Sequence, residues 1–147
     1  MKLASLASGG KDSLYATYLS MKEGHEIKYL ITIFPERQDS WRFHYPGIEL
    51  TKLQAEAMGI KHIVRKTKGE KEKELKDLKN ALMSIKDEID GVVSGAIYSN
   101  YQKSRVEKIC KELGLNSLTP LWHKDSEKLL KEEIESGFEV IIIGVSS

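Results

Sequence analysis

The chain has 147 residues, with 23 Lys and Arg against 22 Asp and Glu, a formal net charge of +1, 40% hydrophobic residues and 31% charged ones. That length suits one domain with one core, and no window approaches the roughly 18 consecutive apolar residues of a membrane span. The near-neutral balance lacks the basic footprint of a stand-alone nucleic-acid binder. Cys110 is the only cysteine, which excludes an internal disulfide, a Cys-rich zinc site and a Cys-x-x-Cys redox pair.

In chain order, Met1 to Ala7 predicts a strand, Ser8-Gly9-Gly10 a turn, and Leu14, Tyr15, Tyr18 and Leu19 a helix that Gly24 stops. Ile27 to Phe34 has the length and composition of a buried strand, and a polar, aromatic loop runs on through Pro46. Leu50, Leu53 and Ala57 mark a second helix closed by Gly59, ahead of a strand from His62 to Thr67. From Glu70 onward, Leu75, Leu78, Leu82, Ile85 and Ile89 fall on one helical stripe, and the Lys and Glu between them read as a solvated face. Asp90 to Gly95 is a short β-branched strand, Lys103 to Leu113 a helix with Val106, Ile109, Cys110 and Leu113 inward, and Leu115 to Thr119 a further strand. Asp125 caps a last helix ending near Gly137, and Glu139 to Val145 is the most strand-like segment of all.

Strands and helices alternate throughout, and the strands are almost continuously apolar. That pattern predicts a doubly wound α/β fold, a parallel sheet with helices on both faces joined by right-handed crossovers. Ligands of such sheets bind beyond the carboxyl ends of the strands, where the strand order reverses. The loops after Ala7, Ile33 and Ser94 are the places to search.

One of them carries Ser8-Gly9-Gly10-Lys11-Asp12-Ser13. Free N–H groups and the positive end of the first helix point at whatever occupies this turn, which favours an anion. Two glycines allow close approach of backbone to phosphate oxygens, Ser8 and Ser13 can donate from their hydroxyls, Lys11 brings a positive charge, and Asp12 can hold a magnesium ion bridging phosphates. A Gly-Gly pair alone would serve any tight turn. The hexapeptide is neither the Walker sequence nor Gly-x-Gly-x-x-Gly.

The hexapeptide resembles the PP-loop, Ser-Gly-Gly-x-Asp-Ser, of the N-type ATP pyrophosphatases. The chain further resembles the diphthine-ammonia ligase family in Leu53-Gln54-Ala55 with Gly59-Ile60, in Gly69-Glu70-Lys71-Glu72, in the segment from Ser94 to Gln102, and in Pro120-Leu121-Trp122. The resemblance implies an adenine nucleotide alpha hydrolase-like fold (the HUP class) over residues 1–147, with the family's C-terminal substrate part absent. It implies that ATP, with magnesium, adenylates the carboxylate of diphthine on translation elongation factor 2 in the cytoplasm, and that ammonia then displaces AMP. No nucleic acid or membrane enters that scheme, and a homodimer is left open.

The same resemblance implies site residues. The PP-loop would hold the phosphates, with catalytic work for Lys11, Asp12 and Ser13 and the metal on Asp12. The adenine would lie over the end of the second strand, touching backbone near Thr32 and Ile33, and beside Gly95, with His44 near the phosphates. Tyr98, Tyr101, Gln102, Arg105 and Trp122 would face the substrate. Cys110, among inward residues, reads as an inert core thiol. Two other readings of a phosphate loop on such a sheet are a PP-loop enzyme that modifies tRNA, which calls for cysteines or a basic surface, and a non-catalytic ATP-binding module of the universal stress protein type, which carries its loop late in the chain.

Overall fold

The computed structural model describes residues 1–7, 11–35, 49–67, 71–96 and 100–135. Ser8, Gly9, Gly10, His44 and Tyr98 lie outside the described residues, as do the loop up to Pro46 and the strand expected from Glu139 to Val145.

The elements run β1 (Lys2–Leu6), α1 (Lys11–Lys22), β2 (Glu26–Pro35), α2 (helical residues 49–58), β3 (Lys61–Thr67), α3 (Lys71–Met83), β4 (Gly91–Val93), α4 (Asn100–Leu113), β5 (Asn116–Leu118) and α5 (Ser126–Glu135). The described strands form one sheet in the order β3-β2-β1-β4-β5. All four pairings are parallel, from Leu3 opposite Gly91 and Ile27 to Val93 opposite Leu118. The predicted doubly wound α/β architecture is the observed one, and the order reverses between β1 and β4.

Period-two alternation divides the core between the two faces of the sheet. Ala4, Tyr29, Ile31 and Val92 pack with Leu78 and Leu82 of α3 and with Val106, Ile109 and Cys110 of α4. Leu3, Ile27, Leu30 and Val93 pack on the other face with Tyr15 and Ala16 of α1, Ala55 of α2 and Leu129 of α5. No described helix is long and apolar enough to cross a membrane.

Several local expectations shift. The stripe from Leu75 to Ile89 is not one helix: α3 stops at Met83, and a 3-10 turn at Lys86–Glu88 carries the chain toward β4. Ile85 and Ile89 are still buried, because the turn folds back onto the same face. In α2 the inward positions are Thr51, Gln54 and Ala55, whereas Leu53 is 60% exposed. The helix is rotated from the expected face, burying Thr51, Gln54 and Ala55 and leaving Leu53 and Ala57 outward. Asp125 caps α5 as expected, its Oδ1 accepting from Glu127 N–H at 2.9 Å.

Candidate active site

The start of α1 is held from below by a buried hydroxyl relay. Ser5, near the end of β1 and with no exposure, approaches Thr17 Oγ1 at 2.6 Å, and Thr17 Oγ1 donates to the carbonyl of Ser13 at 2.8 Å. Thr17 spends its single proton on Ser13, so Ser5 is the donor to Thr17. The relay ties the first turn of α1 to the strand it leaves.

β4 approaches the same turn from the side. A Cβ on Gly95 would stand 3.0 Å from Ser13 Cα, 3.1 Å from Ser13 N and 3.2 Å from Asp12 C. Any side chain there would have to push this backbone back by a few tenths of an ångström, and glycine needs no such shift. The ends of β1 and β4 thereby meet α1 where the strand order reverses.

A cleft of about 670 Å³ opens there, within the usual range of small-molecule sites, about 300–1,000 Å³. Asp12, Ser13, Ser94 and Gly95 line its polar side. Leu6, Ile31 and Ile33 of the sheet with Leu75 and Leu78 of α3 form an apolar wall, suited to the face of a base. Tyr101, Gln102 and Arg105 line it from the first turns of α4. The helix begins at Asn100 rather than near Lys103, so these side chains sit on a rigid element. Arg105 lies over the Tyr101 ring, its Cζ 3.8 Å from the centroid, an i,i+4 stack that orients the guanidinium.

Asp12, Ser13, Ile33, Gly95, Tyr101, Gln102 and Arg105, each named from the sequence, thus share one cleft. Lys11 is the first residue of α1. Thr32 and Trp122 are not among the lining residues. Thr32 follows Ile31 and precedes Ile33, so alternation turns it to the opposite face. There it is 3% exposed, donates to the Ala7 carbonyl at 2.8 Å and lies 2.9 Å from His62 Nε2. Its one proton goes to Ala7, so His62 donates through Nε2–H. Burial, with the nearby Lys52 charge adding to it, lowers the His62 pKa, consistent with a neutral ring in that role. Trp122 stacks on His123 with centroids 4.5 Å apart and has Lys103 Nζ 5.2 Å above it.

Two polar lining residues, Glu74 and Ser94, were not among the site residues named from the sequence. Glu74 sits in the Lys/Glu run of α3, and nothing in that run distinguishes it from its solvated neighbours. Ser94 was seen as the end of a strand, and only the cleft shows its hydroxyl as a candidate group. Cys110 is as expected, 1% exposed, and burial pushes its thiol up to about 11.

Among the described residues no cluster of three or more His, Cys, Asp or Glu side chains could hold a metal unaided. The donor set of one carboxylate, Asp12, and the Ser13 hydroxyl beside a helix start fits magnesium instead, an ion held by one or two carboxylates together with substrate phosphates.

A diphthine-ammonia ligase from Rattus norvegicus is 37% identical over 167 aligned residues, which cover 100% of this chain and 62% of that protein. One from Homo sapiens is 33% identical over 168, covering 100% and 62%. The chain therefore spans under two thirds of these relatives' length. A U34-tRNA thiolase from Methanococcus maripaludis superposes with a TM-score of 0.56 at 21% identity, covering 92% of this chain and 57% of that one, a likeness of fold. The family described as diphthamide synthase N-terminal domain matches residues 1–117, and the chain belongs to that family.

Proposed function

We propose that this chain is the nucleotide-binding domain of a diphthine-ammonia ligase that works in the cytoplasm on diphthine-bearing elongation factor 2. A carboxylate oxygen of diphthine attacks the α-phosphorus of ATP, the bond to the β-phosphate breaks, and pyrophosphate leaves. Ammonia then attacks the acyl carbon, AMP departs with the electrons of the C–O bond, and a proton is released. Magnesium, held by Asp12 and the phosphates, would supply charge neutralisation at the departing pyrophosphate.

The observation that carries this reading is a single cleft with two kinds of wall. The start of α1, with Asp12 and Ser13 beside Gly95, suits a polyphosphate. Ile31, Ile33 and Leu78 suit the adenine, and Tyr101, Gln102 and Arg105 leave polar groups for a second reactant. These residues position rather than react: N–H groups and dipoles fixed before the reaction stabilise charge as it develops. A tRNA-modifying reading has less support, because Cys110 is the only cysteine in these residues and is buried.

The test is to measure ATP binding to residues 1–147 by calorimetry and, on a protein that also carries the part of its relatives these residues do not span, to supply ATP, magnesium, ammonium and diphthine-bearing factor, following AMP by chromatography and the factor by mass spectrometry. AMP and a diphthamide mass in equal amounts are expected. ATP hydrolysis to ADP, or an unmodified factor with a competent full-length relative as control, would remove the assignment.

A further inference from the structure

Buried polar side-chain atoms ordinarily find partners, because an unsatisfied one costs about 1–3 kcal/mol. Four such atoms among the described residues have none, and two of them, Ser94 Oγ and Arg105 Nε, belong to residues that line the same cleft. Ser94 is 7% exposed. The two residues come from different elements, one at the end of β4 and one on α4, so no shared local distortion accounts for both.

Arg105 is not loosely placed. Its guanidinium stacks 3.8 Å above Tyr101 one helical turn earlier, and no carboxylate among the described residues forms a salt bridge with it. The stack occupies a face of the guanidinium and leaves its edges for hydrogen bonds. The edge formed by Nε and one Nη offers two parallel N–H groups, a fork that matches two oxygens on one carbon or phosphorus. A guanidinium has no acceptor, so a ligand on this edge must present oxygens or equivalent acceptors. Ser94 lines the polar side of the cleft together with Asp12, Ser13 and Gly95.

We propose that Ser94 Oγ and the Nε edge of Arg105 are the fixed donors of an oxyanion subsite, oriented by Tyr101 and left unpaired by the protein for a bound carboxylate or phosphate. The proposal rests on the adenylating reading above and deepens it: the bond made in that reaction joins a carboxylate oxygen to the α-phosphorus, and both groups are oxyanions. Arg105 bound to the carboxylate would aim the nucleophile. Bound to the nucleotide, it would neutralise the phosphate under attack.

Arg105→Gln, Arg105→Lys and Ser94→Ala separate these cases, with thermal melts confirming that each variant folds. ATP binding is measured by calorimetry, and binding of diphthine-bearing factor to protein loaded with a non-hydrolysable ATP analogue is measured by the same method. R105Q is expected to weaken one of the two ligands by about tenfold or more, the effect of losing charged hydrogen bonds. R105K should recover only part of it, because an ammonium lacks the fork. Loss confined to the factor assigns the subsite to the carboxylate, and loss confined to ATP assigns it to phosphate. Wild-type binding of ATP together with R105Q and S94A variants that bind both ligands within twofold overturns the subsite and leaves the ATP reading standing. A wild-type protein that binds no ATP overturns that reading and, with it, the subsite.

Discussion

Gly95→Ala tests whether the packing of β4 against α1 builds the site. The new methyl would sit 3.0 Å from Ser13 Cα, 3.1 Å from Ser13 N and 3.2 Å from Asp12 C, whereas carbon contacts are comfortable at about 3.5–4.0 Å. A shortfall of roughly half an ångström must be taken up, and every atom met is backbone. α1 cannot yield freely, because the Ser13 carbonyl accepts from Thr17, itself held by Ser5. Overpacking of this kind costs about 1–3 kcal/mol, which for a chain of this size lowers Tm by roughly 3–10 °C. Function should suffer more than stability. The N–H groups at the start of α1 would move by a few tenths of an ångström from the phosphates they would hold, so ATP affinity should fall by about tenfold, the effect of weakening one charge-assisted hydrogen bond. Differential scanning calorimetry and ATP titration on the same preparation give both numbers. A G95A protein with unchanged Tm and ATP affinity within twofold of wild type would refute the packing argument.

Other outcomes follow from the same geometry. Asp12→Ala should reduce AMP formation by about a hundredfold while changing ATP affinity only a few-fold, since a metal-holding carboxylate matters most as charge builds on the leaving group; equal losses in binding and turnover would make Asp12 a helix cap. Thr32→Val removes the bond to the Ala7 carbonyl and the acceptor for His62, and should cost about 1–3 kcal/mol in urea melts, most of it restored by Thr32→Ser. Burial lowers the His62 pKa below its ordinary 6.5, and Lys52 adds to it. Below that value the unfolded chain binds the proton more readily than the folded one, so this contribution to stability is complete above pH 6.5 and declines as pH falls toward the folded pKa. Urea midpoints at about pH 7.5 and pH 5.5 should differ less in His62→Gln than in wild type, and an equal difference would remove His62 from the account.

Much of this protein was legible in one dimension because the signals are local. Apolar runs bounded by glycine mark strands and helices wherever burial follows a fixed period, and their alternation already implies a parallel sheet. The hexapeptide from Ser8 to Ser13 could be read for the same reason: its residue types are adjacent in the chain, so the expectation of a phosphate loop rests on residue order alone. Tertiary structure decided what depends on facing and on distance along the chain. Thr32 and Ile33 are neighbours in sequence, yet alternation sends one into a clamp on Ala7 and the other into the cleft. Glu74 looks like any residue of a solvated Lys/Glu run until α3 is laid against the sheet, and Leu53 looks like core until α2 is rotated to bury Thr51 and Ala55 instead. Arg105 was legible through the resemblance, but the unpaired atoms of Ser94 and Arg105 show only in three dimensions, because a missing hydrogen-bond partner is a property of the space around an atom and leaves no trace in residue order.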